Sequence, residues 1–258
     1  MIPSIKFLDK EISPYLICVL LGILAVLLSL YLMARRAKLD DIDMMFIMLY
    51  AFIGVGVGGC LLFGLTNIKY IISLFENYSK IPSFGEFARL LFKAFQGAVF
   101  YGGLIGALLA LYIYRKKKGL SRRYTDLGTI GIPLFHVFGR LGCFLSGCCY
   151  GVECSFGVVY RHCHISGVNG VRRLPVQLFE AIFNLILVIV LYVFFRKRKY
   201  ETWLMQIYLY AYPIFRFIIE FFRGDAYRGF LWIFSTSQWI SILLIIANTL
   251  VILRRKRT

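Results

Sequence analysis

"HVFGRLGCFLSGCCYG" (136–151) lies where hydropathy draws a membrane helix running into a loop. The stretch carries Arg140 at membrane depth, four glycines and three cysteines, two of them adjacent. Whether its helix crosses decides the fold: counting the run 126–146 gives an odd number of spans, and rejecting it gives an even number. Around it the chain is 60% hydrophobic over 258 residues, with a mean hydropathy of +0.75. Apolar runs of about 18 or more residues in such a chain point to transmembrane helices.

Seven apolar segments stand out, at roughly 14–34, 43–65, 88–114, 126–146, 176–195, 203–222 and 235–253. The fourth is diluted by glycines, a proline, a histidine and an arginine. "NIKYIISLFENYSK" (67–80) is too short and polar to span and is predicted to be an amphipathic interfacial helix. The net charge of +17 is gathered at the ends of apolar runs, which fits topology signals and anionic headgroups and argues against nucleic acid as a partner. The acids within "KFLDKEIS" (6–13), followed by a long apolar run without a small-residue cleavage site, argue against a cleavable signal peptide. No internal repeat is visible, so one all-α, polytopic seven-helix membrane domain over 1–258 is expected, with an outer-face loop at 147–175.

Charge orients the chain. Arg35, Arg36 and Lys38, the cluster Arg115 to Arg123, Arg196 to Lys199 and Arg254 to Arg257 put 17 basic residues in one set of loops. The other set, with the N-terminus, holds 10 over longer segments. The positive-inside rule then puts the N-terminus outside and the C-terminus in the cytoplasm. That result requires an odd number of spans, which supports the diluted fourth one.

Ionisable groups inside spans cost about 2.5–3.5 kcal/mol each on insertion and default to functional hypotheses. Here they are Arg140, Glu180, Arg216, Glu220 and Arg223; Lys93 can snorkel. Tyr212, Arg216, Glu220 and Arg223 fall on one helical stripe, and Gln177 and Glu180 share another face. With the predicted topology, three helices aim these groups at the outer half of the membrane. One reading is an ion-pair lock between helices. The other starts from charge: three arginines face two glutamates, and the surplus suits an anion whose oxygens match a guanidinium fork. An anionic phospholipid headgroup from the outer leaflet is the natural candidate.

These residues carry a family likeness. "GRLGCFLSGCCYG" (139–151) resembles the bacterial prolipoprotein diacylglyceryl transferase pattern G-R-x-G-N-F-x-N-x-E-x-x-G. "YGGLIGALLALY" (101–112), "RLPVQLFEA" (173–181), "YPIFRFIIEFFRGD" (212–225) and "STSQWISI" (235–242) resemble further segments of that family in the same order. The likeness runs from about residue 95 to the C-terminus. It implies a multi-pass protein of the bacterial plasma membrane with its active site toward the outer leaflet. The implied reaction moves a diacylglyceryl group from phosphatidylglycerol to the lipobox cysteine of a prolipoprotein, forming a thioether and releasing glycerol 1-phosphate, without metal or organic cofactor. By the same resemblance Arg140 and Arg216 hold the phosphate, Glu220 and Arg223 shape the outer mouth, and Tyr212, Gln177 and Glu180 support them. Gly102, Gly103, Gly139, Gly142 and Gly151 would admit close helix or lipid approach; for any single glycine, simple helix packing is the plainer reading.

The chain departs from the pattern. The family histidine before the paired glycines, its expected base, is Tyr101, whose ordinary pKa near 10 makes it a poor base at neutral pH unless arginines lower it, and whose hydroxyl can still donate to a phosphate or ester oxygen. Cys143 stands at the family's first asparagine and Cys148 at its acid. His136, one turn before Arg140, is either a substitute base or a packing residue. Cys148, Cys149, Cys154 and Cys163 suit disulfides on an outer loop. Metal binding by "CCYGVEC" with "HCH" (162–164) is a second reading, though the spacing lacks a C-x-x-C pair and adjacent cysteines rarely share one tetrahedral ion. In a third, Cys143 or Cys148 is a nucleophile, although a thioether would leave poorly. Two rival functions stay open beside the family reaction. One keeps the donor lipid and changes the acceptor or bond; the other is a non-catalytic lipid-binding or transport protein.

Overall fold

The computed structural model describes residues 5–7, 10–97, 99–161, 163, 165, 167–225 and 229–257. In chain order its elements are β1 (Ile5–Phe7), β2 (Lys10–Ile12), α1 (Pro14–Arg36), α2 (Asp41–Thr66), α3 (Ile68–Glu76), α4 (Phe84–Ala94), α5 (Phe100–Lys118), α6 (Arg123–Ser146), β3 (Glu153–Val159), β4 (Arg172–Arg173), α7 (Val176–Arg196), α8 (Leu204–Ile219), β5 (Phe230–Leu231), β6 (Phe234–Ser235) and α9 (Thr236–Arg257). The strands form three two-stranded antiparallel ribbons. The architecture is otherwise helical.

Among the described residues, five helices are long and apolar enough to cross a membrane: Pro14–Arg36, Asp41–Thr66, Arg123–Ser146, Val176–Arg196 and Thr236–Arg255. The diluted fourth segment is therefore among them, as α6. The expected span at 88–114 is corrected, because it breaks into α4 and α5. The break has a local cause. Asn67 Nδ2 donates to the Ala94 carbonyl at 3.2 Å, and the Val99 N–H turns to the Gly59 carbonyl at 3.1 Å. Both groups are thus satisfied outside a continuous helix. The segment expected at 203–222 is helical over only 16 residues, with a 3₁₀ turn at Glu220–Phe222.

The chain forms two compact units. Within residues 38–125, α2 and α5 meet through small residues. A methyl group built on Gly54, Gly58, Gly102 or Gly106 would drive into the backbone of the facing glycine. The pairs are spaced by four on both helices, the small-xxx-small pattern that lets helix backbones touch. Gly103 meets the Val55 side chain and carbonyl, each 3.2 Å from an added Cβ. Gly102 and Gly103 are thus engaged in helix packing here. Gly58→Leu is expected to pry α2 from α5 and cost about 1–3 kcal/mol, seen as a lower thermal unfolding midpoint in detergent.

In the unit made of residues 1–37 and 126–258, the polarity of a soluble protein is reversed. Leu24, Ile182, Ile189, Leu243 and Leu250 are exposed, while Gln177, Glu180, Asn184, Arg216, Glu220, Gln238 and Asn248 are buried. An apolar exterior around polar groups suits lipid as solvent. Gly131 and Gly22 let α6 approach α1, with Leu30 and Phe138 against them. Phe183 of α7 stacks on Phe215 of α8 at 3.8 Å. Asn248 donates to the Gln206 carbonyl at 3.0 Å, and Tyr210 and Thr249 share a hydrogen bond of 2.7 Å, fastening α9 to α8. At the opposite end from Arg140, the Asp126 carboxylate accepts from the backbone N–H groups of Thr202 and Leu204 where α8 begins.

Candidate functional site: an ion-pair chain beside a thiol cluster

One end of this unit collects the charged residues of α6, α7 and α8. Arg140 lies in the last turns of α6, Glu180 in the second turn of α7, and Arg216 at the end of α8. Glu180 joins the two arginines: its Oε2 lies 2.9 Å from Arg140 Nη2 and its Oε1 accepts from Arg216 Nη1 at 3.1 Å. Arg216 Nη2 reaches Glu220 Oε2 at 2.6 Å and donates to Ser237 Oγ at 3.1 Å. Arg223 Nη1 is 3.7 Å from Glu220 Oε2, and its guanidinium forks onto Asp225, with Nε to Oδ1 at 2.8 Å. The result is one continuous alternation of charge from Arg140 to Asp225.

Asp225 corrects the charge balance expected from the sequence. Among the described residues three arginines face three carboxylates, so this ion-pair series carries no net positive surplus. Capacity for an anion rests on geometry instead. Arg140 has 17% of its side chain exposed against 4% for Arg216 and 1% for Glu180. The space beside it is open, since a Cβ on Gly139 would meet nothing within 4 Å. Gly142, one turn on, lies against α1, where an added Cβ would sit 3.1 Å from Tyr15 and from Cys18. Tyr212 is buried one turn before Arg216, stacked between His136 at 5.0 Å and Tyr208 at 5.6 Å. His136 is buried in that stack.

The segment after α6 is pinned to this end. Gln177 Nε2 donates to the Cys148 carbonyl at 2.6 Å, and its Oε1 accepts from the Tyr160 hydroxyl at 2.9 Å. Tyr160 is fully buried with Tyr150, Cys163 and Val168, and burial pushes its phenol up to about 12, so it stays a donor. Gly151 forms a bridge with Arg223, and its N–H donates to the Leu174 carbonyl at 3.0 Å. An added Cβ there would sit 2.5 Å from the Leu174 oxygen, so the glycine is required by the backbone crossing. Gln177→Leu would orphan a buried hydroxyl and a carbonyl, at about 1–3 kcal/mol each. Limited proteolysis should then cut within 147–175 in the variant well before the parent.

The cysteines divide into two groups. Cys163 belongs to the Tyr160 cluster, and Cys154 packs on Leu174, Val176 and Ile219. Cys143, Cys148 and Cys149 bring their sulfurs within 4.8 Å of one another. All seven cysteines carry free thiols, so the loop disulfide is not formed in this structure. His162 and His164 of the metal reading lie outside the described residues. Hydrogen bonds with Cys143 and Cys148 pull the Cys149 thiol below its ordinary range, against burial and with help from the Arg140 and Arg223 charges.

The structure thus brings together Arg140, Cys143, Gln177, Glu180, Tyr212, Arg216, Glu220 and Arg223, with Gly139 and Gly142 on α6 and Gly151 in the segment after it, bridged to Arg223. Tyr101, Gly102 and Gly103 belong to the other unit, in the first turn of α5. Sequence reasoning passed over Asp225, Ser237, Tyr160 and Tyr15. The first two sit inside stretches already singled out, two residues after Arg223 and at the start of α9. Tyr160 and Tyr15 carry no spacing signal.

Comparison with known proteins gives a concordant result. Residues 4–254 match the family model described as prolipoprotein diacylglyceryl transferase. A phosphatidylglycerol–prolipoprotein diacylglyceryl transferase of Clostridium tetani is 32% identical over 244 residues, covering 93% of this chain and 92% of that protein. A second enzyme of that name in Clostridium perfringens is 36% identical over 188 residues, 71% of this chain and 70% of its own length. The Idiomarina loihiensis enzyme is 33% identical over 230 residues, 86% and 78% of the two chains.

Proposed function

The chain belongs to the prolipoprotein diacylglyceryl transferase family, and from that premise we propose that it moves the diacylglyceryl group of phosphatidylglycerol to a prolipoprotein. The acceptor is the lipobox cysteine thiol; a thioether forms and glycerol 1-phosphate leaves. The observation that carries this reading is the pair of arginines joined through Glu180 at one end of a polar interior. Guanidinium forks suit a phosphodiester whose negative charge grows as the glycerol carbon is attacked. Arg140 is the contact for the headgroup, entering through the open space at Gly139. Arg216 is the inner cation, held in place by Glu180, Glu220 and Ser237. Arg223, Glu220 and Asp225 frame the mouth, while Tyr212 and Gln177 set the helix faces.

This site faces the outer leaflet, with the N-terminus outside and the C-terminus in the cytoplasm, a reading supported by the distribution of basic loops. Seven crossings fit if α5 and α8 are counted with the five longer helices. Nineteen residues of α5 reach about 28 Å, close to the ~30 Å hydrocarbon core, and the lysines at its end can snorkel. The 3₁₀ turn extends the shorter α8, and mismatch of this size is accommodated cheaply. Residues 67–80 lie along the interface and 147–175 form the outer loop.

The test uses purified protein in phosphatidylglycerol vesicles with a lipobox peptide. Glycerol 1-phosphate should appear in step with a peptide heavier by one diacylglyceryl group, and a peptide with serine for cysteine should yield neither. Release without the thiol would favour another acceptor, and binding of lipid without any product would favour the transport alternative.

A further inference from the structure

Three thiols next to the ion-pair chain are left unused by the reaction as drawn. Cys143 lies in the last turn of α6, one helical turn after Arg140, Cys148 and Cys149 follow in the turn beyond the helix, and their sulfurs all lie within 4.8 Å. Neighbouring residues normally point to opposite sides of a chain, which is why an adjacent pair rarely shares an ion. Here the turn starts at Gly147 with φ +74°, and Cys149 itself takes φ +58°. That left-handed conformation folds the Cys149 side chain back toward Cys148. It is unfavourable for a residue with a Cβ and persists only where the surroundings enforce it. They do so here. The Cys148 N–H donates to the Cys143 carbonyl at 3.1 Å, the Cys148 carbonyl accepts from Gln177, and Gly224 donates to the Tyr150 carbonyl at 2.9 Å.

The geometry is close to that of a metal site. Zinc–sulfur bonds near 2.3 Å place tetrahedral ligand sulfurs about 3.8 Å apart, so small side-chain rotations close this cluster on one ion. Thiolates select thiophilic ions over calcium or magnesium. Arg140 and Arg223 act electrostatically on Cys149 and offset the charge of a trithiolate complex. Three protein ligands leave a fourth tetrahedral position open, the arrangement of catalytic rather than structural zinc.

Resting on the transferase reading above, we propose that Cys143, Cys148 and Cys149 bind one thiophilic divalent cation, zinc the natural candidate, whose fourth position takes the acceptor cysteine. Coordination deprotonates a thiol outright, so the acceptor S–H gives up its proton as the S–metal bond forms. The sulfur electron pair then attacks glycerol C3 of the donor lipid. The C3–O bond breaks, its electrons leave on the phosphate oxygen of glycerol 1-phosphate, the S–metal bond breaks as the neutral thioether departs, and that phosphate or solvent takes the proton. Nothing is oxidised or reduced. The site supplies the thiolate that a histidine base would otherwise generate, in a chain carrying Tyr101 at that place and cysteines at the asparagine and acid positions.

The test begins with metal analysis of the full-length protein, purified in detergent with a phosphine reductant and no chelator. The expected content is ~1 zinc per chain, with Cys148→Ser and Cys149→Ser each weakening retention at least the ~10–100-fold typical of losing only an outer hydrogen-bond partner and Cys60→Ser unchanged. On the unmutated chain, cobalt substituted for zinc should show thiolate-to-cobalt charge transfer. A lipobox peptide should shift the cobalt spectrum and its serine counterpart should not. Metal-free protein that still forms thioether in chelator overturns this proposal and leaves the transferase reading intact. A disulfide between any two of the three thiols in protein that forms thioether overturns it equally. Stoichiometric zinc with a cobalt spectrum indifferent to the peptide overturns the acceptor role. Zinc bound, peptide sensed and no thioether formed overturns the transferase reading itself.

Discussion

Arg140→Ala is expected to lower thioether formation about 10²–10³-fold, the loss typical of removing one donor from a developing oxyanion. Among Arg140, Arg216 and Arg223, Arg140 is the most exposed, and its ion pair is with Glu180. Glu180 keeps Arg216 at 3.1 Å in the variant, so the protein should stay folded. Its thermal midpoint should fall little compared with its rate. Arg140→Lys should recover only part of the activity, because an ammonium offers a point charge in place of a planar fork. Vesicle assays at saturating phosphatidylglycerol separate the two effects. A loss confined to KM would assign Arg140 to ground-state binding alone, and full activity would remove it from the site.

Glu180→Ala is expected to do the opposite, damaging the fold as much as the rate. This carboxylate is 1% exposed and joins guanidiniums from two other helices. Removing it leaves Arg140 and Arg216 facing each other with only Glu220 between them and the outer pair. Breaking a buried ion pair from one side costs about 3–5 kcal/mol, enough to lower the folded yield severely. Glu180→Gln keeps the shape and one acceptor while deleting the charge. It should fold better than the alanine variant yet remain strongly impaired. If Glu180→Ala melts with the parent, the ion-pair chain does not organise this end of the unit.

Much of this site was legible because charge inside an apolar run stands out. Arg140, Glu180, Arg216 and Glu220 were found that way, and helical spacing put Tyr212, Arg216 and Glu220 on one stripe. Asp225 escaped because it lies past the end of α8 in irregular chain, where spacing carries no information. Its carboxylate cancels the apparent surplus of positive charge. The helices show the same limit. Hydropathy sees α1, α2, α7 and α9 plainly, but not that Asn67 and Gly59 capture the backbone at Ala94 and Val99 and split the third segment. Hydropathy also cannot separate a 16-residue helix followed by a 3₁₀ turn from a longer one. The spacing of Cys148 and Cys149 argued against a shared ion, and a single backbone angle at Cys149 reverses that.

The proposed reaction is an alkyl transfer: sulfur attacks carbon, and the C–O bond on the glycerol side of the phosphate breaks. Phosphatidylglycerol carrying ¹⁸O in the oxygen between diacylglyceryl C3 and phosphorus tests it most directly, using purified protein and a lipobox peptide, with products read by mass spectrometry. The predicted result is heavy oxygen recovered in glycerol 1-phosphate, mole for mole with a thioether on the peptide. Heavy oxygen left on diacylglycerol, or glycerol 1-phosphate released without a thioether, would contradict the account.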